Sequence, residues 1–154
     1  MNHFKIPKNS RNFLKICVGD SKPTVVEFDP KKEYGFEDFN MLIGAGRGEI
    51  VSLDAVRGML PDAFIKDNGI SSIDMWCDEE GKIYSKPHNP FGQAFWEKSF
   101  GRTDYIVGDI VLTGSADDEG DMLSFTTQEI DEIVKVIKTC WSSSELMQPK
   151  ITIH

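Results

Sequence analysis

Short runs of alternating apolar and polar residues recur along the chain, at the two-residue spacing typical of β-strands. The clearest run places Ile73, Met75 and Cys77 at every second position, which predicts a strand with one buried face. The acidic turn Glu79-Glu80-Gly81 follows, and its glycine suits a tight reversal because glycine accepts positive φ. We therefore predict a hairpin whose return strand covers residues 82–85.

Five other segments have strand-like composition and are predicted as strands: residues 13–18, 24–28, 49–53, 105–112 and 122–125. Loop-forming residues separate the first two, so these two segments form a predicted hairpin. The segment 105–112 is the most apolar of the five, and we expect it near the centre of the sheet. The last segment is expected to pair back across a second acidic turn, residues 115–121.

Three segments carry apolar residues at helical spacing. The first covers residues 36–43 and is expected to end at Gly44. The second covers residues 91–100, with Asn89 as N-cap, Pro90 at the first helical position, and a buried face formed by Phe91, Phe95 and Phe100. The third begins after Thr126 or Thr127, and its predicted buried stripe is Ile130, Ile133, Val134 and Ile137. Its predicted solvated side chains are Glu129, Asp131, Glu132 and Lys135.

These elements predict a single α+β domain with a mainly antiparallel sheet built from hairpins and two or three packed helices. The chain has 154 residues, the usual size of one domain. We expect the domain to cover residues 1–141, with a basic N-terminal arm over residues 1–12. Residues 142–154 are more polar and are predicted as a C-terminal tail with one possible short strand.

The net charge of −8 is unevenly distributed. Four bases and no acids occur among the first fifteen residues. From Met41 onward the sequence contains ten bases and nineteen acids. An acidic body repels phosphates, so the main domain is not expected to bind nucleic acid, although the arm could contact a phosphate or an acidic partner. The simpler and favoured interpretation is that the arm is a solvated terminus.

Several features favour a cytoplasmic protein that does not cross a membrane. No apolar run approaches the ~20 residues of a spanning helix. The first residues lack the apolar segment of a secretory signal. Cys17, Cys77 and Cys140 are odd in number and far apart, which favours buried thiols over a disulfide framework or a metal site.

The glycine-rich segment Gly44-Ala45-Gly46-Arg47-Gly48 superficially resembles a phosphate-binding loop. Such loops lead from a strand into a helix, whereas here a helix precedes the loop and a strand follows it. A helix C-cap is therefore favoured, although Arg47 remains a candidate contact for an anionic ligand. The two acidic turns lack the spacing of an EF-hand, so solvated carboxylates are favoured over a cation site. We predict neither a metal nor a cofactor.

His88 and Asn89 are the polar residues that the pattern singles out for a ligand or partner contact. A hydrolase would need His88 to act with Asp78 or Glu80, but no nucleophile motif accompanies the histidine. A surface or capping role for His88 is the simpler interpretation. Trp96 lies off the predicted apolar face of its helix, between polar neighbours, and is the aromatic residue expected to contact a partner.

A family resemblance rests on five short motifs. They are the segment 44–51, the acidic turn 78–82, Pro87-His88-Asn89, Gly108-Asp109-Ile110-Val111 and Asp117-Asp118-Glu119-Gly120. Over roughly residues 12–138 the chain resembles an uncharacterised domain family of unknown function that is frequent in bacteriophages and mobile elements. Departures from the pattern occur at residues 45–47 and 90–92. The resemblance implies an α+β fold and a phage-type origin, and it supplies no reaction.

Three functions remain open at this point. The favoured one is a phage or mobile-element accessory protein that binds, sequesters or blocks a host protein, such as a defence factor. The second is a binding protein for a small anionic, nucleotide-like ligand, with Arg47, His88 and Asn89 as polar contacts. The third is the small hydrolase. The first two place Arg47 and Trp96 among the residues whose loss would weaken binding.

Overall fold

The structure of the chain is a computed structural model, and it describes residues 3–4, 12–19, 23–27, 31, 34–53, 73–114, 125 and 129–136. Its strands are β1 (His3–Phe4), β2 (Asn12–Ile16), β3 (Thr24–Glu27), β4 (Tyr34–Gly35), β5 (Gly48–Ser52), β6 (Ile73–Asp78) and β7 (Ile110–Gly114). Its helices are α1 (Phe36–Leu42), α2 (Pro90–Phe100) and α3, residues 129–136. The predicted α+β class is confirmed.

Five strands form one antiparallel sheet in the order β3-β2-β7-β6-β5. The predicted hairpin of β2 and β3 is present, with Leu14 opposite Val25. The central position predicted for the most apolar segment is also confirmed, since β7 is the third strand of five. Two short strands, β1 and β4, pair separately.

Helices cover both faces of this sheet. On one face, α2 and α3 contribute Phe95 and Ile133 to a large core with Met75 and Leu112. On the other face, α1 contributes Phe39, whose ring stacks on Trp76 at 4.6 Å. Because successive residues of a strand point to opposite faces, every residue of β6 and of β7 is buried. The single buried face predicted for residues 73–78 is therefore wrong.

The end of α1 follows from the glycine that the sequence analysis identified. Gly44 adopts φ +65°, and its N–H donates to the Met41 carbonyl while the Ala45 N–H donates to the Asn40 carbonyl. These two bonds are the Schellman pattern that closes a helix on a left-handed residue. The predicted stop at Gly44 and the helix C-cap interpretation are both confirmed.

The predicted return strand over residues 82–85 is wrong. Both neighbours of β6 in the sheet are already provided by β5 and β7. Residues 79–85 instead form consecutive turns, in which the Ser85 N–H bonds to the Lys82 carbonyl and the Lys86 N–H to the Gly81 carbonyl. Ser85 is left-handed at φ 55°. These two hydrogen bonds have the same residue spacings as the two that close α1.

The predicted strand over residues 105–112 starts too early. Gly108 has φ +77° and donates to the Pro87 carbonyl, so the chain before β7 pairs with residues 87–89 and not within the sheet. Phe100 is exposed, contrary to its predicted place on the buried face of α2. Glu129 is buried, contrary to its predicted solvation.

Other predictions fall partly or wholly outside the described residues, including those for Cys140, Ile137, most of 115–125 and the tail 142–154. Phe125 itself bridges Asn12 of β2. Among the described residues, no helix is long and apolar enough to cross a membrane.

Candidate functional site

Polar side chains collect at one end of the sheet, where β2 and β6 finish and β5 and β7 begin. The pairing of Gly48 with Asp78 and of Ile16 with Ile110 marks this end. The turns after β6, the start of α2 and the segment before β7 all meet there. This end therefore holds most of the residues that the sequence analysis singled out.

Asn89 is buried at this end of the sheet, where its side chain connects three segments by hydrogen bonds. Its side-chain nitrogen donates to the carbonyls of Ile16 (3.0 Å) and Gly108 (2.8 Å), and its oxygen accepts from the Gly92 N–H (3.1 Å). The predicted N-cap is confirmed, with Pro90 directly after it. Because the amide is fully buried and bonded on both sides, its polar atoms serve the fold.

His88 is half-buried between an aromatic ring and an amide. Its ring stacks on Tyr105 with centroids 4.5 Å apart, and its Nε2 lies 3.4 Å from the Oε1 of Gln93. Burial lowers the pKa of His88 below its ordinary value. The carboxylate of Asp78 is paired with Lys86 and does not contact the imidazole. The described residues thus do not bring together the pair that a hydrolase would need.

The lowered pKa of His88 predicts a specific dependence of stability on pH. The unfolded chain binds a proton near pH 6.5, above the pKa of the folded state, so this group's contribution is complete above pH 6.5 and is lost as pH falls below it. Denaturant unfolding between pH 7 and pH 5 should show a steeper loss of stability for the wild type than for His88→Gln. Parallel curves for the two proteins would contradict this assignment.

Arg47 is exposed and forms an ion pair with Glu79, with 2.9 Å between Nε and Oε2. The Arg47 carbonyl also accepts from the Glu79 N–H, so the glycine-rich loop lies against the turns after β6. The N–H groups of Gly44 and Ala45 already donate within the cap, and that of Gly48 donates to Asn40. This loop therefore presents few free donors for an anion.

Trp96 is half-buried on α2. Its indole N–H donates to the Thr103 hydroxyl at 3.0 Å, and its ring lies 4.5 Å from Phe100. Part of the ring packs against the larger core. Trp96 thus joins the core to the surface, and its predicted exposure is only partial.

Lys86 and Asp78 form a buried ion pair that the sequence analysis missed. Lys86 Nζ lies 2.6 Å from Asp78 Oδ2 and donates to the carbonyls of Gly44 (2.8 Å) and Ile43 (3.4 Å). The side chain of Asp78 is 2% exposed and that of Lys86 is 21% exposed. The sequence offered no local signal for this pair, because the left-handed conformation of Ser85 before the lysine is seen only in the structure.

A surface near these groups carries four exposed apolar side chains and the half-buried Trp96. We call it the aromatic surface, and its members are Ile83, Tyr84, Trp96, Phe100 and Tyr105. An ion pair between Lys82 and Asp104 joins the turn carrying Ile83 and Tyr84 to the segment carrying Tyr105. The bond from Trp96 to Thr103 ties α2 to the same segment. Ile83, Tyr84 and Tyr105 are 74%, 66% and 54% exposed.

Most charges around the aromatic surface are paired, and Lys98 of α2 is an exposed base outside these pairs. Each of four bases has an acidic partner: Arg47 with Glu79, Lys82 with Asp104, Lys86 with Asp78 and Arg102 with Glu97. The bond from Lys82 lowers the pKa of Asp104, which keeps that carboxylate charged. The net negative charge of the chain therefore does not arise from these pairs.

The described residues offer little chemistry for a reaction. Within them, no group of three metal-ligating side chains comes together. Burial is the main cause that raises the pKa of the Cys77 thiol, so this cysteine is a poor nucleophile.

Comparison with known proteins gives a family and no activity. Neither the curated proteins nor the solved structures contain a match to this chain. A family model described as a domain of unknown function, DUF3846, matches residues 12–138. The match covers the whole five-stranded sheet and the end where the polar residues collect. The chain therefore belongs to the DUF3846 family.

Proposed function

We propose that this protein acts by binding a partner protein through the aromatic surface. In this proposal it is a phage or mobile-element accessory protein that sequesters or blocks a host factor, such as a defence component. The observation that carries the proposal is the exposure of Ile83, Tyr84 and Tyr105 on two segments that the Lys82–Asp104 ion pair joins. Large apolar side chains exposed in one region are typical of interaction sites.

The composition of the surface supports a protein partner. Tyrosine, tryptophan and arginine are the residues that most often dominate binding energy at protein interfaces. Tyr84, Tyr105 and Trp96 supply the aromatic groups, and Arg102 lies beside them in an ion pair with Glu97. The stacking of His88 on Tyr105 restricts the orientation of that ring before binding. A pre-ordered side chain loses less entropy when a partner covers it.

The electrostatics favour a protein over a polyanion or a small anion. Polyanion binding requires cations that are free to neutralise phosphates. Four bases in this region, Arg47 among them, are paired with acids, and Lys98 of α2 is the one further exposed base that the described residues place there. The carboxylate of Glu80 also lies beside Gly46 in the glycine-rich loop. An anionic ligand would therefore have to displace a carboxylate before it could bind Arg47.

We also propose a cytoplasmic location, in the host cell if the gene belongs to a phage. The free thiol of Cys77 supports it, because reducing compartments keep thiols unpaired.

Affinity capture tests the proposed function. The tagged chain would be incubated with a host lysate, the captured protein identified, and its affinity measured by calorimetry with purified components. Replacing Tyr84 and Tyr105 by serine should weaken that affinity by about a hundredfold or more, since each aromatic contact at a hot spot contributes about 2 kcal/mol. Val25→Ser is the matched control, because Val25 is exposed on the edge strand β3.

Two results would contradict the proposal. One is wild-type affinity in the Tyr84→Ser, Tyr105→Ser double variant. The other is a rise in melting temperature with one member of a nucleotide panel that persists in that variant and is lost in Arg47→Ala, because ligands of the native state raise its melting temperature. This second result would favour the anionic ligand.

A further inference from the structure

We propose that Lys86 is the positioning residue of the aromatic surface. It holds the turn that carries Ile83 and Tyr84 in its binding conformation, and its partly exposed ammonium group bonds to Asp78 and to two carbonyls after α1. This inference rests on the proposed function, because it concerns the same surface. The effect of Lys86 on the local order of the turn can be measured without a partner protein.

The contacts of Lys86 connect three parts of the molecule. The ammonium has three donors, and three acceptors receive them: Asp78 at the end of β6 and the carbonyls of Ile43 and Gly44 at the end of α1. The last carbonyls of a helix favour a cation, which strengthens these bonds. A single side chain thus ties the turn both to the sheet and to α1.

The backbone of Lys86 closes the turn itself. Its N–H donates to the Gly81 carbonyl. In the same turn, the N–H groups of Ile83 and Tyr84 donate to the Glu80 carbonyl. These are short, local bonds in an exposed segment, and such bonds open easily without tertiary support. The side chain of Lys86 supplies tertiary support at this point, because it ties the turn to the segment after α1 and to the buried carboxylate of Asp78.

Gly108 makes room for the lysine. A Cβ at this position would lie 3.0 Å from Lys86 Cδ, and its φ of +77° is one that glycine accepts without strain. The chain that leads from Tyr105 into β7 therefore packs against the lysine stem. Lys86 lies between the turn carrying Ile83 and Tyr84 and the segment carrying Tyr105, which are the two halves of the most exposed part of the surface.

Amide hydrogen exchange measured by NMR tests this role directly. Lys86→Met alone leaves the buried carboxylate of Asp78 unpaired and could unfold the chain. The informative variant is therefore Asp78→Asn combined with Lys86→Met, which removes both charges. We expect the amides of residues 83–86 to exchange about tenfold faster or more, while the slowest amides of β7 keep their wild-type protection. Lys82→Met is the matched control, because Lys82 lies in the same turn but pairs with Asp104 at the surface.

A merely structural role would raise exchange in β7 together with the turn, and that result would overturn the proposal. Unchanged exchange at residues 83–86 in the double variant, or an equal increase in Lys82→Met, would overturn it as well. The single variant Lys86→Arg keeps the positive charge, so the amides of residues 83–86 should retain most of their wild-type protection from exchange. With a purified partner, the affinity of the double variant should fall by the same factor as the ordered fraction of the turn. Loss of binding in the Tyr84 and Tyr105 variants without any effect of Lys86 would leave the proposed function standing and reject this inference.

Discussion

Replacing Ile133 by aspartate is expected to unfold the domain. Ile133 is fully buried on α3, in the core that α2 and α3 share with the sheet. An unpaired carboxylate at such a position costs several kcal/mol, comparable with the total stability of a domain of this size. Circular dichroism during thermal unfolding should show no cooperative transition for Ile133→Asp above room temperature.

Neighbouring positions of α3 provide graded controls for this prediction. Val134 is half-buried against the same core, so Val134→Asp should lower the melting temperature less than Ile133→Asp. Lys135 is exposed, and Lys135→Asp should change stability by well under 1 kcal/mol apart from its weak pair with Glu132. A melting temperature for Ile133→Asp equal to that of Lys135→Asp would show that the orientation of α3 is wrong.

The second large effect is expected for Asn89→Asp, a change of nearly the same shape. The aspartate oxygen can still accept from the Gly92 N–H, but the two bonds donated to Ile16 and Gly108 are lost. Two carbonyls would then face a carboxylate in a buried space, and each group left unsatisfied costs about 1–3 kcal/mol. We expect a loss of about 3 kcal/mol or more in the free energy of unfolding measured with urea.

Asn89→Ser separates the two roles of this side chain. Serine is a good N-cap, so it retains the bond to the start of α2 while losing both donations to the carbonyls. Its stability should therefore lie between those of the wild type and Asn89→Asp. A urea midpoint for Asn89→Asp equal to that of the wild type would contradict the buried amide network.

The sequence predicted those parts of the fold that depend on local chemistry. Gly44 ended α1 because a left-handed residue closes a helix, and Asn89 with Pro90 started α2 because both residue types suit the first turn. The hairpin of β2 and β3 followed from two β-rich segments around a loop. In each of these cases the residues that determine the structure are close together in sequence.

The errors occurred where distant residues decide the outcome. Residues 82–85 have the composition of a strand, but β7, which begins 25 residues later at Ile110, occupies the place beside β6. Similarly, the N–H of Gly108 donates to the Pro87 carbonyl, so the segment before β7 lies outside the sheet. The single buried face predicted for β6 failed because helices from both ends of the chain cover the sheet.

The candidate site was predicted only in part for the same reason. Trp96 belongs to the aromatic surface that we propose and His88 stacks on its Tyr105, whereas the exposed Ile83 and Tyr84 had been assigned to a strand. The pair of Asp78 and Lys86 depends on that turn and on the end of α1, which are far apart in sequence. No periodicity within a single segment signals such a contact.

Site-specific photo-crosslinking is the most direct test of the central claim, that the aromatic surface is the interaction surface. A photoreactive phenylalanine would replace Tyr84 in one protein and Val25, which is exposed on β3, in another. After irradiation in the host cell, position 84 is predicted to form a crosslink to one discrete partner protein, and position 25 to form none. A crosslinked partner at position 25 with none at position 84 would contradict the account.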